Sequence, residues 1–206
     1  MNESQNSPNE IKKKNNRTLW VMVFLFGLPY LVAFYFYFGT DKFTLDKTNY
    51  GTIISPARAI PDVELIKPDN SKFRLSSLKG KWVLASIGNS DCKQDCIDNL
   101  YKIRQIKKAV GQEYKRITKL FFLKDKNNIE SFEKLLKEYP GMDVIMPSGN
   151  DYNNHLSNFF YENKEVENGI FIIDPLGNYM MFYPKGADAS KILKDVQRLL
   201  RVSKVG

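Results

Sequence analysis

The most constraining feature of the sequence is an uninterrupted apolar segment near its start. Leu19 to Phe38, LWVMVFLFGLPYLVAFYFYF, contains no charged residue. About 20 apolar residues is the length that an α-helix needs to cross the hydrocarbon core of a bilayer with its backbone groups bonded internally. We therefore predict one transmembrane helix, with boundaries at residues 18–39.

A cleaved secretory signal peptide is the alternative interpretation of this segment. The apolar core of such a peptide usually spans about 7 to 15 residues and ends at a site of small residues. Here the segment ends in FYFYFGTDKF, where bulky aromatic residues replace small ones. Trp20, Tyr35 and Tyr37 stand where interfacial aromatic residues anchor a span. These features favour an uncleaved anchor.

The charges that flank the segment predict its orientation. KKKNNR precedes it at Lys12 to Arg17, whereas TDKFTLDK after it balances two acids against two lysines. Positively charged flanks stay in the cytoplasm. We therefore expect residues 1–17 to form a cytoplasmic tail, of which the polar residues 1–10 are disordered. In a bacterium the rest of the chain would be periplasmic, anchored in the inner membrane, where disulfide chemistry is available.

The chain after the span divides into a connector and one domain. Residues 40–60 show no sustained hydrophobic period and contain Gly, Ser and Pro, which is typical of an extended tether. From residue 61 to residue 206, strand-like and helix-like patterns alternate. In order these are a hairpin in DVELI and KFRLSSL, strand KWVLASIG, a helix from Ile97 to Val110, strand ITKLFFL, a helix from Ile129 to Tyr139, strand DVIM, a short helix in DYNNHLSNFF, a hairpin of GIFII and YMMFY, and helix ASKILKDVQRLL. This order predicts an α/β sandwich around a mixed sheet.

The formal net charge of +8 raises the question of nucleic-acid binding. The lysines and arginines are scattered among acids and do not form one patch interleaved with aromatic residues. The predicted location outside the cytoplasm also argues against a nucleic-acid partner. We instead expect solvated helix faces and attraction to anionic lipid or to an acidic partner.

The two cysteines of the chain form a Cys-x-x-x-Cys motif, Cys92 and Cys96, after the predicted strand KWVLASIG. A strand followed by a loop and a helix places this loop at the carboxyl edge of the sheet, where open α/β sheets place their sites. Cys92 would lie near a helix N-terminus, which favours a thiolate, whereas Asp91 and Asp95 oppose it, so the sequence does not predict the net pKa. We expect the pair at an accessible rim.

The spacing of the two cysteines permits more than one chemistry. On a helix their Cα atoms would be near 6 Å apart, about the distance that a disulfide spans. Two thiolates can equally hold one soft ion such as Cu(I). Simple core cysteines are the third interpretation, although the polar residues around the motif argue against it. The spacing alone selects none of these.

Several other residues invite a functional interpretation that the sequence does not favour. The single histidine, His155, is a candidate metal ligand, but its polar surroundings are more typical of a surface or cap residue. Asp174, followed by Pro175 and Gly177, indicates turn chemistry. Tyr179, Met180 and Met181 could suggest a soft metal face, but their position in a hairpin strand favours core packing.

Taken together, these elements resemble a known family. Strand KWVLASIG, the Cys-x-x-x-Cys motif that opens a helix and the late IIDPLGN hairpin, behind one anchor, resemble the Sco/SenC proteins. TNYG, FRLSSLKGKWVLAS and IIDPLGNYMMFYP resemble a proteobacterial group of Sco-like membrane proteins, over roughly residues 47–205. The resemblance implies a thioredoxin-like domain and an assembly factor that delivers copper to, or reduces the thiols of, the copper centre in subunit II of cytochrome c oxidase.

The chain departs from the Sco pattern at two positions. The third copper ligand of Sco proteins is a His about nine residues before the Pro of the hairpin turn, and here Val166 occupies that position. His155 lies 11 residues earlier. The three-ligand copper site is therefore not supported, and Cu(II) binding is not expected, but the two thiolates of Cys92 and Cys96 can still bind Cu(I). Gly169 stands where thioredoxin-type oxidoreductases carry a cis-proline.

Three functions follow from these observations. The first is a cytochrome c oxidase assembly factor that acts on copper-site thiols, or holds Cu(I) transiently, through Cys92 and Cys96. The second is a dedicated periplasmic thiol-disulfide reductase in which Cys92 attacks and Cys96 resolves. The third is a thioredoxin-fold scaffold whose cysteines are incidental.

Overall fold

The computed structural model describes residues 8–38, 49–159 and 166–203. The chain separates into two compact units, with the division between Thr48 and Asn49. The first unit contains helix α1 (Pro8–Phe38). Within α1, Asn16–Phe38 has a mean hydropathy of 2.1 and is long and apolar enough to cross a membrane. Large apolar side chains along this stretch are exposed, and a bilayer would remove them from water.

Helix α1 begins earlier than the sequence predicts. The polar tail was expected to be disordered over residues 1–10, but the helix already starts at Pro8, a residue whose fixed φ suits the first helical position. Residues 1–7 of the predicted tail lie outside the described residues. The prediction of disorder is therefore wrong from Pro8 onwards.

The second unit is built on a six-stranded mixed sheet in the order β1-β8-β7-β4-β5-β6. Strands β4, β5 and β6 are parallel, and the other pairings in the sheet are antiparallel. The remaining strands form a small hairpin, β2-β3. The strands are β1 (Thr52–Ala59), β2 (Leu65–Ile66), β3 (Lys72–Phe73), β4 (Trp82–Gly88), β5 (Ile117–Leu123), β6 (Met142–Ile145), β7 (Ile170–Ile173) and β8 (Asn178–Tyr183).

Helices cover the sheet and connect its strands. They are α2 (Gln94–Ala109), α3 (Ile129–Leu136), α4 (Asn150–Ser157) and α5 (Ala189–Val202), with 3₁₀ helices at Leu75–Leu78 and Gly111–Arg116. The predicted α/β class is confirmed, and each strand and helix predicted after residue 61 is present within a few residues of its expected position. The sequence analysis does not predict the 3₁₀ helices.

The central strands are buried on both faces. In β5, Leu120 and Phe122 belong to the core on one side of the sheet, whereas Phe121 and Leu123 belong to the core on the other. All seven residues of β4 are buried. This two-sided burial explains why both strands appear in the sequence as continuous apolar runs without alternation.

Strand β1 corrects the predicted connector. The sequence analysis assigns residues 40–60 to a tether, but residues 52–59 form an edge strand that pairs with β8. Ile54 is the one buried residue of β1, and the register shifts between Ile53 and Arg58. An exposed strand with an irregular register shows no hydrophobic alternation, and Pro is tolerated at such an edge. The pattern therefore looked like a loop.

Candidate functional site

The cysteine loop connects β4 to α2 at the carboxyl end of the parallel strands. Helix α2 begins at Gln94, with Lys93 as its N-cap residue. Cys96 therefore lies in the first turn of the helix, whereas Cys92 precedes the helix and has a φ of 31°. The prediction that Cys92 lies near the helix N-terminus is correct, but the two cysteines do not share one helical face.

Cys92 and Cys96 are joined by a disulfide, with an S–S distance of 2.00 Å and a Cα–Cα distance of 5.1 Å. The expectation that the spacing falls within disulfide range is thus confirmed. The separation is shorter than the predicted 6 Å because Cys92 lies in a turn and not on the helix. Gly88 makes room for the ring of Phe121, since a Cβ there would lie only 3.0 Å from it, whereas Cys96 Sγ, at 3.7 Å, would be at an ordinary contact distance.

Both cysteines are more deeply buried than predicted. Cys92 is 5% exposed and Cys96 is 3% exposed, and both belong to the apolar cluster that contains Phe121, Leu123 and Phe132. The expectation that the cysteines lie at an accessible rim is therefore wrong, because both side chains are almost fully buried. The apolar neighbours of helices α2 and α3 produce this burial, which the polar loop sequence does not indicate.

The disulfide nevertheless forms one wall of a small groove, here called the cysteine groove. Its volume is about 120 Å³, and its lining residues are Asn89, Asp91, Cys92, Lys93, Asp95, Cys96, Glu167 and Asn168. The structure thus leaves a small opening beside the disulfide, large enough for a small group.

Three carboxylates line the cysteine groove, and each one is paired with a lysine. The ion pairs are Asp91–Lys93 (3.5 Å), Asp95–Lys185 (2.6 Å) and Glu167–Lys124 (2.5 Å). The Nδ2 of Asn89 also donates to Glu167 (2.8 Å). The rim is therefore polar and close to charge balance, so it does not impose a strong field of one sign on the disulfide.

A partly buried polar clamp holds the cysteine loop in place. The Asp125 carboxylate accepts hydrogen bonds from the Ser90 hydroxyl, the Ser90 amide (3.3 Å) and the Asn127 amide (3.0 Å). The Asn128 amide in turn donates to Ser90 Oγ (2.9 Å). Burial raises the pKa of Asp125, but the hydrogen bonds from Ser90 and Asn127 outweigh this effect and leave the pKa below its ordinary value.

The sequence analysis did not identify this clamp. Ser90 and Asp125 each follow the end of a parallel strand, β4 and β5 respectively, and neighbouring parallel strands bring such residues to one edge. That shared position was the signal that could have revealed them. The clamp ties the loop that carries Cys92 to the loop that starts α3.

Val166, the position of the expected third copper ligand, points away from the cysteines. Its side chain is 4% exposed and belongs to the apolar cluster that includes Phe159, Phe171 and Tyr179. The next two residues, Glu167 and Asn168, do reach the cysteine groove. Within the described residues, no group of three His, Cys, Asp or Glu side chains is placed to hold a metal ion.

His155 is a core residue, which corrects the prediction of a surface or cap position. It is 2% exposed, and its ring centroid lies 5.6 Å from that of Phe122 and 6.1 Å from that of Phe159. Phe122 faces the side of the sheet opposite to the cysteines, so His155 is not brought to them. Burial lowers the pKa of His155 despite the opposing influence of the Pro61 carbonyl and the Asp62 carboxylate.

The remaining sequence predictions concern the late hairpin. Asp174 Oδ1 accepts from the amides of Leu176 (2.9 Å) and Asn178 (2.8 Å), and Gly177 has a φ of 93°. The predicted turn chemistry is confirmed. Tyr179 and Met181 are buried and Met180 is partly buried against the core, which confirms the prediction of core packing.

Comparison with known proteins places this geometry among thioredoxin-like domains. The model of a family described as "Transmembrane-like, thioredoxin-like, C-terminal domain" matches residues 82–203. No protein with a curated description matches the sequence significantly.

Solved structures share the fold at low sequence identity. The copper-bound ScoI of Arabidopsis thaliana is 20% identical, with 70% of this chain and 100% of that chain covered and a TM-score of 0.57. Copper-bound yeast Sco1 is 14% identical, with coverages of 71% and 90% and a TM-score of 0.60. The thioredoxin domain of a Bacteroides vulgatus thiol-disulfide oxidoreductase is 17% identical, with coverages of 69% and 95% and a TM-score of 0.53. These likenesses confirm the predicted thioredoxin-like fold.

Proposed function

Because the chain belongs to the transmembrane-like, thioredoxin-like C-terminal domain family, we propose that it is a membrane-anchored assembly factor for cytochrome c oxidase. In this function Cys92 and Cys96 reduce a disulfide between the copper-site cysteines of subunit II or of another copper-site client, which yields the thiols that bind copper. The observation that carries the proposal is the Cys92–Cys96 disulfide beside a polar groove at the carboxyl edge of the sheet. Structural likeness to copper-bound Sco proteins and to a thiol-disulfide oxidoreductase supports it.

The reaction is a two-step thiol-disulfide exchange. In the reduced protein the Cys92 thiolate attacks one sulfur of a client disulfide, and one client thiolate leaves. The Cys96 thiolate then attacks Cys92 Sγ, which forms the Cys92–Cys96 disulfide and releases the second client thiolate. Two electrons pass to the client, whose thiolates take up the protons. A periplasmic dithiol reductant must then restore the reduced pair.

The positions of the two cysteines favour this division of roles. Cys92 lies in the loop that precedes α2, beside the helix N-terminus, whose backbone N–H groups point toward the loop and favour an anion. Cys96 lies in the first turn of the helix itself, and both side chains are buried to nearly the same extent. We therefore assign the attack to Cys92 on its position before the helix N-terminus, and the resolving step to Cys96.

Transient Cu(I) binding is the second part of the proposal. Two reduced thiolates at this spacing can hold Cu(I), which prefers sulfur ligands. Val166 faces the core and supplies no third ligand, so the expected site is two-coordinate and does not suit Cu(II). Copper titration of the reduced full-length protein should give one equivalent of bound Cu(I), which the Cys92→Ser and Cys96→Ser double variant should lose.

The location that we propose is the inner membrane, with the N-terminus in the cytoplasm and the domain in the periplasm. The basic flank Lys12 to Arg17 and the apolar stretch Asn16–Phe38 support this arrangement. A copper centre that is assembled on the periplasmic side would then lie on the same side of the membrane as the cysteine groove.

Trapping of a mixed disulfide tests the proposed chemistry. In cells, the Cys96→Ser variant should accumulate a disulfide-linked complex with its client, because no resolving thiol remains. The matched Cys92→Ser variant should not, because it lacks the attacking thiol. Both variants should lower oxidase activity several-fold. The measurements are non-reducing immunoblots and oxygen consumption.

The scaffold alternative makes the opposite prediction. If the cysteines are incidental, the double serine variant should support normal oxidase activity while deletion of the domain abolishes it. That result would overturn the proposed function. Complexes that form equally with either single variant would overturn the assignment of Cys92 as the attacking residue.

A further inference from the structure

A second groove, here called the basic groove, lies at the end of helix α2 that is far from the cysteines. Its volume is about 410 Å³, and its lining residues are Arg104, Lys107, Lys108, Gly111, Tyr114, Lys119, Glu138 and Pro140. Three of the cations come from the last two turns of α2, about 15 Å along the helix from Cys96 at 1.5 Å per residue. The basic groove is therefore separate from the cysteine groove.

Lys119 occupies a position where the strand pattern calls for an apolar residue. On one face of β5, Lys119 lies between Ile117 and Phe121, two positions from each. Both of these neighbours are fully buried against the helices. Lys119 itself is 4% exposed, and its Nζ donates to the carbonyl of Pro140 (2.6 Å). A charged side chain at a core-facing strand position costs stability unless it is paired and hydrogen-bonded, and in the described part of the chain the Lys119 side chain has one hydrogen bond, to a backbone carbonyl.

Among the lining residues of the basic groove, four are cationic and one, Glu138, is acidic. Within the described residues, none of the groove cations, Arg104, Lys107, Lys108 and Lys119, forms an ion pair within 4.0 Å. Arg104 donates instead to the backbone carbonyl of Glu138 (2.8 Å). The nearby carboxylate of Asp143 is paired with Lys67 (2.6 Å).

The electrostatic cost of this arrangement falls on two lysines. Burial lowers the pKa of Lys119, and the positive charges of Lys107, Arg104 and Lys108 lower it further. Burial and the charge of Lys81 likewise lower the pKa of Lys107. A bound anion would reverse both effects, because it favours the charged forms of the lysines.

We propose that the basic groove binds a phosphate group. Four cations around one concave site match the two negative charges and the several acceptor oxygens of a phosphate better than they match a single carboxylate. The Lys119 ammonium uses only one of its three protons for Pro140, so two remain for oxygens of the ligand. The Tyr114 hydroxyl also lines the groove and can donate.

An acidic peptide segment fits these observations less well. Lys119 lines the groove and is 4% exposed, and a compact group reaches such a side chain more easily than a peptide backbone does. The phosphate can belong to a soluble phosphorylated compound or to an anionic phospholipid headgroup. The two sources share the recognition chemistry, and the experiment below separates them.

Thermal unfolding of the full-length protein in a non-ionic detergent tests the proposal. The probe is inorganic phosphate, compared with chloride at equal ionic strength. At about 100-fold excess over Kd, phosphate should raise the unfolding midpoint by roughly 5–10 °C. Lys119→Met and Lys107→Met should abolish this rise. The matched control is Lys126→Met, which removes an exposed lysine that follows the other end of β5.

A second arm identifies the source of the phosphate. The same variants are compared in nanodiscs of phosphatidylglycerol and of phosphatidylcholine. If only phosphatidylglycerol raises the unfolding midpoint, and Lys119→Met loses that rise, the ligand is a lipid headgroup. If free phosphate raises the midpoint, the ligand is a soluble phosphorylated compound. Because the test does not involve the cysteines, its failure would leave the proposed redox function untouched.

Two results would overturn the proposal. The first is that neither inorganic phosphate nor phosphatidylglycerol raises the unfolding midpoint, or that the midpoint rises equally in the wild type and in both groove variants. The second is a rise with poly-glutamate but not with phosphate or phosphatidylglycerol, which would assign the groove to an acidic protein partner. If Lys119→Met fails to fold, Lys107→Met decides the outcome, since Lys107 lies on the rim.

Discussion

At the residue scale, His155 is a titratable side chain enclosed by aromatic rings. Its pKa is lowered by burial, so the folded protein holds it neutral at pH values where the unfolded chain, with a pKa of about 6.5, already binds a proton. Stability is therefore fully present above about pH 6.5 and is lost as the pH falls toward the lowered pKa of the folded state.

Replacement of His155 by Phe should reduce this acid sensitivity. Between about pH 7.5 and pH 5, the unfolding midpoint of the wild type should fall further than that of His155→Phe. The reason is that the unfolded variant has no imidazole at position 155 that could bind a proton. Thermal unfolding at both pH values measures the difference. An equal fall in both proteins would show that His155 is not responsible, and His155→Asn is the control for loss of the ring.

At the element scale, helix α5 fixes the chain directly before strand β1. Asp195 of α5 accepts from the amides of Tyr50 (2.8 Å) and Gly51 (2.9 Å) and from the Tyr183 hydroxyl (2.9 Å). The carboxylate is 2% exposed. These bonds fix the point where the chain enters the domain, directly before β1.

Asp195→Ala should release that entry point. Three donors would lose their acceptor, so we expect a loss of about 2–4 kcal/mol in the free energy of unfolding. Hydrogen exchange at Tyr50 and Gly51 should accelerate. Asp188→Ala is the matched control on the same helix, because it removes an N-cap that bonds Ser190 (2.7 Å) and should cost about 1 kcal/mol. Equal hydrogen exchange at Tyr50 in both variants would contradict the proposed role of Asp195 at this entry point.

At the scale of the whole molecule, the sequence predicts that one helix separates a cytoplasmic end from an exported domain. An alkaline phosphatase reporter, active only outside the cytoplasm, should be active when fused after residue 206 and inactive when fused before residue 1. Reversal of the basic flank, by changing Lys12, Lys13 and Lys14 to Glu, should lower the activity of the C-terminal fusion. Activity of the N-terminal fusion alone would refute the orientation.

Much of the fold could be predicted from local patterns, but the site could be predicted only in part. KWVLASIG and ITKLFFL are apolar over the length of a strand, and α2 and α5 show helical stripes, so each element was visible on its own. Cys92 and Cys96 were found because their spacing is itself informative. The Ser90–Asp125 clamp was missed because its two residues lie 35 positions apart and meet only through the pairing of β4 with β5.

The sequence by itself determined the apolar span, the identity of the central strands and a cysteine pair that can form a disulfide, because length, period and spacing are local properties. Only the tertiary structure decided that residues 52–59 join the sheet, that His155 is buried and that Lys119 meets three other cations in one groove. Those outcomes depend on which distant residues pack together, and a one-dimensional pattern does not contain that information.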